Sequence, residues 1–72
     1  MVDLVTLEEV VILFGTEEAY RIGYNGMICW IPKSQIDNLE EVNAAVTYAA
    51  ELPIEMEELI IPEWLARSKD LI

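Results

Sequence analysis

The dipeptide Asn25-Gly26, set between two apolar runs, restricts the fold of this chain more than any other feature of its sequence. Both central residues of a two-residue type I′ turn need a positive φ, and Asn-Gly adopts this conformation readily. The sequence therefore predicts an antiparallel β-hairpin. A two-residue loop also fixes the register, because it places Tyr24 opposite Met27 and every further pair one residue outward.

Side chains alternate along a strand, so this register divides the predicted hairpin into two faces. One face is wholly apolar or aromatic and consists of Tyr20, Ile22, Tyr24, Met27, Cys29 and Ile31. The other pairs Gly23 with Ile28 and places the Arg21 guanidinium across from the Trp30 indole, as in a cation–π contact. Neither face is typical of a surface in water. Such a sheet fits a small closed barrel, a sheet with a helix on one face, or a dimer, and the sequence does not choose.

The apolar segment before the hairpin predicts β-structure interrupted by two adjacent glutamates. Strands are expected near Leu4–Leu7 and Val10–Phe14, or as one bent strand with a bulge at Glu8-Glu9. Pro32 ends the hairpin, because proline cannot donate to the strand ladder.

A helix is predicted over about residues 39–51. Apolar residues recur there at steps of three and four, and Asn38 and Glu41 stand at capping-box spacing. Pro53 closes this helix.

The region after Pro53 is less regular. Its first part, 54–61, alternates imperfectly, which favours a bulged strand over a short amphipathic helix. A short C-terminal helix follows over about residues 62–69, with Pro62 in its first position. Its expected apolar side consists of Trp64, Leu65, Ser68 and Leu71.

Together these elements predict one small α+β domain over residues 1–72. Its antiparallel sheet has three to four strands, either open or barrel-like, around the central hairpin. With 54% hydrophobic residues in 72, some apolar surface is expected to stay exposed. That surplus indicates a homo-oligomer or a protein partner, although a Leu/Ile-rich small core explains it equally well.

The charge of the chain restricts its function. Fourteen acidic and four basic residues give a net charge of −10, which repels phosphate and makes direct nucleic-acid binding unlikely. The same field attracts basic protein surfaces, including nucleic-acid-binding faces that an acidic surface can mimic. The alternative is that the acidity only keeps the protein soluble.

Catalytic and metal chemistry are not expected. The chain has no histidine and a single cysteine, which removes the usual zinc ligands, the usual general base and any internal disulfide. We therefore expect no enzyme activity, no cofactor and no metal. The N-terminus lacks a basic signal region and no apolar run reaches the ~20 residues that span a bilayer. A cytoplasmic location without a membrane partner is expected.

Three segments resemble a group of small uncharacterised proteins encoded by bacteriophages and prophages. They are Thr16-Glu17-Glu18-Ala19-Tyr20, Trp30-Ile31-Pro32-Lys33-Ser34-Gln35-Ile36 and Ile61-Pro62-Glu63-Trp64-Leu65-Ala66. The resemblance covers about half of the chain, and the Ala-rich helix between 36 and 54 departs from it. It implies a phage origin, hence a location in the host cytoplasm, and a small β-rich fold. It implies no activity and no site residue.

The candidate interaction residues are Arg21, Trp30, Lys33, Ser34 and Trp64. Lys33-Ser34 after Pro32 could touch a phosphate, but a simple turn is the more probable role for that pair. A glutamate cluster (55, 57, 58 and 63) could hold a divalent cation, but it lacks the spacing of a calcium loop and is better explained as a solvated face.

The sequence thus favours a small acidic phage protein that acts by protein–protein interaction and inhibits, or mimics nucleic acid toward, a host or phage protein. The alternative is a self-assembling structural or accessory subunit of a phage complex without catalytic activity.

Overall fold

The computed structural model describes residues 2–72 and contains one four-stranded antiparallel sheet with two α-helices. The elements are β1 (Leu4–Gly15), β2 (Ala19–Tyr24), β3 (Met27–Pro32), a 3₁₀ turn (Lys33–Gln35), α1 (Leu39–Ala49), β4 (Ile54–Pro62) and α2 (Glu63–Ser68). The strand order is β3-β2-β1-β4. The predicted α+β class is confirmed, and the sheet is open, because β3 and β4 form its two edges.

The central hairpin has the predicted register. Tyr24 pairs with Met27 across the turn, and Arg21 pairs with Trp30. Asn25 and Gly26 have φ values of 49° and 80°, as a type I′ turn requires. The register confirms which side chains share a face.

β1 is one bent strand, as the alternative reading of its two glutamates predicted. Glu9 has a φ of 56°. Leu7 and Val10 are both buried although they are three residues apart, so the strict alternation of inward and outward side chains is interrupted between them. The alternation in the paired strand β4 is interrupted at the same place, since Met56 and Leu59 are also both buried. The two strands therefore bend together without a change in register.

The core lies between one face of the sheet and the two helices. Its strand members include Ile12, Ile22 and Ile31, all fully buried, and α1 contributes Val42. Leu65 of α2 belongs to the same cluster. The hydroxyl of Tyr20, on the core face of β2, donates a hydrogen bond to Oδ1 of Asn43 in α1. Burial in this core is the main source of stability in a chain of this size.

Three helix details differ from the sequence prediction. α1 ends at Ala49, because Ala50 adopts a left-handed conformation with a φ of 68° and closes the helix before residue 51. Pro62 is the N-cap of α2 and the last residue of β4, not the first helical residue. The helix itself ends at Ser68.

The predicted apolar side of the C-terminal helix was also partly wrong. Leu65, Ala66 and Leu71 are buried, whereas Trp64 and Ser68 face outward. The helix begins at residue 63 and contacts β1 and β4, and its consecutive residues 65 and 66 are buried.

Asn38 precedes α1 but does not form the predicted capping box. Its side chain makes no capping bond to the helix backbone. Instead, its Oδ1 accepts from the N–H of Ile60 at 3.0 Å, and its Nδ2 donates to the carbonyl of Glu58 at 3.1 Å. The Asn38 amide thus hydrogen-bonds backbone groups of β4 on the side of that strand where no other strand pairs.

Candidate protein-interaction surface

The face of the sheet opposite the helices carries an apolar patch that no element of residues 2–72 covers. We call it the outer face and define it by Val11, Leu13, Phe14, Arg21, Gly23, Ile28 and Trp30. Phe14 is 56% exposed, Ile28 59% and Trp30 41%. Exposed apolar side chains that adjoin one another on a small protein usually mark an interaction site.

The outer face is built by pairing across three strands. Val11 of β1 lies opposite Gly23 of β2, which lies opposite Ile28 of β3. Because the middle residue is a glycine, the row has an open groove of about 360 Å³ lined by Val11, Leu13 and Ile28 among others. A Cβ built on Gly23 would meet Leu13 Cδ1 at 3.7 Å and nothing closer, so the groove has room for an apolar side chain.

A bulge in β1 brings Phe14 onto this face. The β1–β2 register shifts between Ile12 and Phe14, which places Phe14 opposite Arg21. Its ring meets Trp30 edge to face, with the centroids 6.3 Å apart and the planes at 89°. Such a pair contributes about 0.5–1.5 kcal/mol and holds both rings in a defined orientation.

Charge is distributed unevenly around the outer face. Glu9 lines the groove, and Glu55 of β4 lies directly opposite Val11. Arg21 lies on the β2–β3 side. The patch therefore has a carboxylate on its β4 border, another on β1 near the hairpin turn, and a guanidinium opposite Trp30. This pattern is suited to a partner with basic side chains beside an apolar centre.

Two of the predicted interaction residues, Arg21 and Trp30, lie together on this face in the expected pairing. The aromatic contact of Trp30 is with Phe14, whereas the cation–π contact recorded in residues 2–72 places Lys33 Nζ 4.5 Å from the centre of the Tyr20 ring.

Lys33 and Ser34 belong to the 3₁₀ turn after β3. The backbone N–H of Lys33 donates to the carbonyl of Glu18 at 2.8 Å, which ties the turn to the start of β2. Ser34 is exposed. The stacking of Lys33 on Tyr20 gives it a structural role in this turn.

Trp64 lies apart from the outer face. It is 54% exposed and lines a shallow groove with Val2, Asp3, Glu63 and Arg67. Glu63 and Arg67 form an ion pair at 2.7 Å in that groove. The structure thus separates the two tryptophans that the sequence analysis grouped as interaction residues.

The acidic cluster differs in membership from the predicted one. Glu8, Glu9, Glu57 and Glu58 line one groove of about 270 Å³ at the bend of the β1–β4 pair. Glu63 is instead paired with Arg67. Within residues 2–72, no group of three or more acidic or cysteine side chains has the arrangement of a metal site. The cluster is a solvated face with like charges close together.

Cys29 lies on the core face of the hairpin and is half-buried. Burial raises the pKa of its thiol, and the nearby Lys69 ammonium partly opposes this shift. Burial likewise raises the pKa of Tyr20. At neutral pH the Cys29 thiol is therefore protonated and a poor nucleophile.

Phe14, Leu13 and Val11 belong to this surface but are not among the predicted interaction residues. Phe14 reaches this face through a bulge that the alternation of side chains does not indicate. Val11 and Leu13, in contrast, alternate with the buried Val10 and Ile12. The sequence signals for this face are that alternation and the apolar character of the second hairpin face, but neither signal shows which hairpin face the helices cover.

No protein-family model matches this chain, and comparison with curated proteins and with solved structures gave no significant match. None of the helices in residues 2–72 is both long and apolar enough to cross a membrane.

Proposed function

We propose that this chain is a small acidic protein-interaction module that binds a protein partner through its outer face. The observation that carries the proposal is the asymmetry of the sheet: both helices cover one side, while Phe14, Ile28 and Trp30 remain exposed on the other. Burying such a patch against a partner contributes roughly 25 cal/mol for each Å² of apolar surface removed from water.

The charge pattern gives the chemistry of the partner. Carboxylates border the outer face at Glu9 and Glu55, and the whole chain carries a net charge of −10. A partner with lysines or arginines around an apolar patch is attracted over long range and then buries its apolar centre in the groove at Gly23.

Nucleic-acid-binding proteins have such basic surfaces. The acidic groove formed by Glu8, Glu9, Glu57 and Glu58 supports competition with phosphate for a surface of this kind. We therefore include inhibition or mimicry of nucleic acid in the proposal, with a host or phage protein as the partner, in line with the phage resemblance of the sequence.

The test is affinity capture from a bacterial lysate with matched variants, followed by titration of any captured protein in purified form. Trp30→Ser removes an outer-face ring, and Gly23→Val fills the groove without a close contact. Tyr48→Ser is the control, because Tyr48 is 94% exposed on α1, away from the outer face.

We expect the partner to bind wild type and Tyr48→Ser equally and not to bind Trp30→Ser or Gly23→Val. Binding should weaken from roughly 0.1 M to roughly 1 M salt, because the Debye length falls from about 10 Å to about 3 Å. Equal capture by all four proteins, or no specific capture at either salt concentration, would refute the proposal.

A second candidate function is a self-assembling accessory subunit without a catalytic role. It is favoured by a separate observation, the unprotected edge of β3, which lies beside the outer face. High salt distinguishes the two, since it weakens attraction to a basic partner but reduces repulsion between two acidic copies.

A further inference from the structure

The two edge strands of the sheet, β3 and β4, differ in how their backbone groups are protected. The edge of β4 is covered by the chain before α1: Asn38 bonds the backbone of Glu58 and Ile60, and the N–H of Asp37 donates to the carbonyl of Ile60 at 2.8 Å. β4 also carries three glutamates. Covering an edge and placing charges on it are the usual means by which proteins prevent strand addition.

Within residues 2–72, nothing covers the edge of β3, and the strand carries no charge. Its sequence is Met-Ile-Cys-Trp-Ile-Pro, with no charged residue. Only Pro32, at its end, interrupts the row of donors. Within residues 2–72, Ile28 and Trp30 make no backbone or side-chain hydrogen bond outside the sheet.

The hairpin register shows which backbone groups are free. In a two-residue hairpin the pair that flanks the turn, here Tyr24 and Met27, is hydrogen-bonded, and bonded pairs then alternate with non-bonded ones. Ile28 and Trp30 fall in the non-bonded positions. Their N–H and C=O groups therefore point away from β2, along the open edge.

We propose that β3 pairs antiparallel with β3 of a second copy of this chain, so that two four-stranded sheets become one. With the two-fold axis at Cys29, Ile28 of one copy lies opposite Trp30 of the other. These two pairs use all four free N–H groups of the two copies. The inference deepens the second candidate function and does not depend on partner binding.

The absence of charge on β3 favours a second copy over a charged strand at this edge. An acidic or a basic strand would find no opposite charge on β3, whereas a second β3 brings no charge to the new strand pair. The −10 charge of each copy opposes association at long range, and salt screens this repulsion. An uncharged strand is the best match, and the chain supplies one itself. Ile28 and Trp30 would also meet as cross-strand neighbours, which stabilises antiparallel pairs.

The dimer would extend the outer face. Ile28 and Trp30 already belong to that face, so the patches of the two copies would adjoin across the new strand pair. Cys29 would face Cys29 of the second copy at a non-bonded position, where Cα atoms lie about 4.5 Å apart. That separation is within the range of about 4.4–6.8 Å that a disulfide can span.

The test uses the purified chain alone, so its result is separate from that of partner capture. Sedimentation velocity over a concentration series should show a monomer–dimer equilibrium that shifts toward dimer at high salt. Hydrogen exchange should show the amides of Ile28 and Trp30 becoming protected as the concentration rises.

Two variants locate the interface. Ile28→Pro removes an outward N–H without removing a bond to β2, and should abolish the dimer while the hairpin remains folded by circular dichroism. Tyr48→Ser is the control, because Tyr48 is 94% exposed on α1 and is not part of β3 or of the outer face. It should still dimerise.

Mild oxidation with diamide provides a further readout. Two Cys29 thiols give up two protons and two electrons to diamide and form an intermolecular disulfide. Wild type should form it faster than Ile28→Pro. A monomer at all concentrations, a dimer that Ile28→Pro leaves intact, or a dimer that Tyr48→Ser abolishes would overturn the proposal.

Discussion

The side-chain amide of Asn38 hydrogen-bonds the backbone of Ile60 at 3.0 Å and so acts as a short substitute for a neighbouring strand at the β4 edge. The spacing of the sequence assigns Asn38 to a helix cap, but its side chain instead hydrogen-bonds the backbone of a strand residue 22 positions away. Asn38→Ala should leave the N–H of Ile60 and the carbonyl of Glu58 without these partners.

We expect this substitution to lower the free energy of unfolding by about 1–3 kcal/mol, the usual cost of unpaired polar groups. Urea denaturation followed by circular dichroism measures the effect. Thr47→Ala, an exposed change on α1, is the control and should have little effect. Equal midpoints for the two variants would show that the Asn38 bonds contribute nothing to stability.

Gly26 has a φ of 80°, and nothing lies within 4 Å of a Cβ placed there. Gly26→Val should therefore destabilise the protein through its backbone conformation alone, by more than ~1 kcal/mol. Asn25→Gly keeps a residue that accepts positive φ and is the matched control. Thermal unfolding compares them, and a Gly26→Val protein as stable as wild type would contradict the turn assignment.

Truncation of adjacent residues of β3 should destabilise the protein to different extents. Ile31 is fully buried, so Ile31→Ala should cost about 2–5 kcal/mol. Trp30 is 41% exposed, so Trp30→Ala should cost less than Ile31→Ala. Its loss includes about 0.5–1.5 kcal/mol for the contact with Phe14. Urea denaturation of both variants tests which hairpin face meets the core. A larger loss for Trp30→Ala than for Ile31→Ala would invert that assignment.

Glu8 and Glu58 lie directly opposite each other across β1 and β4. Like charges in this position destabilise a strand pair, so Glu58→Lys should raise the free energy of unfolding by roughly 0.2–1 kcal/mol. Glu51→Lys makes the same charge change at an exposed loop residue and serves as the control. The stabilisation should exceed that of the control and shrink in high salt; a gain no greater than that of Glu51→Lys would show only a net-charge effect.

Stability should fall at alkaline pH. Burial raises the pKa of Cys29 above its ordinary value of 9.0 and that of Tyr20 above 10.0. The unfolded chain therefore loses these protons first, so their contribution is complete below pH 9.0 and is lost as pH rises through the folded pKa values. Urea midpoints across this range measure the loss, and Cys29→Ala should reduce it. A variant with the same pH dependence as wild type would exclude Cys29 as a contributor.

Local sequence determined the hairpin most completely. Asn25-Gly26 fixed the turn and the register of β2 with β3, because a two-residue loop permits only one pairing. The bend in β1 was also foreseeable, since two adjacent glutamates cannot both alternate with buried neighbours.

The capping prediction at Asn38 failed for a physical reason. The Asn38 amide could bond either the first turn of α1 or the backbone of β4. Sequence spacing alone cannot show that the edge of β4 lies beside it. Likewise, the helical spacing of residues 62–71 did not reveal that Pro62 completes β4, which moved Trp64 to the surface.

The sequence by itself determined the net charge, the hairpin register and the existence of two apolar hairpin faces. Only the tertiary structure decided which face is exposed, because that depends on where α1 and α2 pack after distant parts of the chain meet. It also decided that β3 is an edge strand, since strand order arises from the pairing of β1 with β4. The outer face and the free edge therefore became visible only when the whole sheet was assembled.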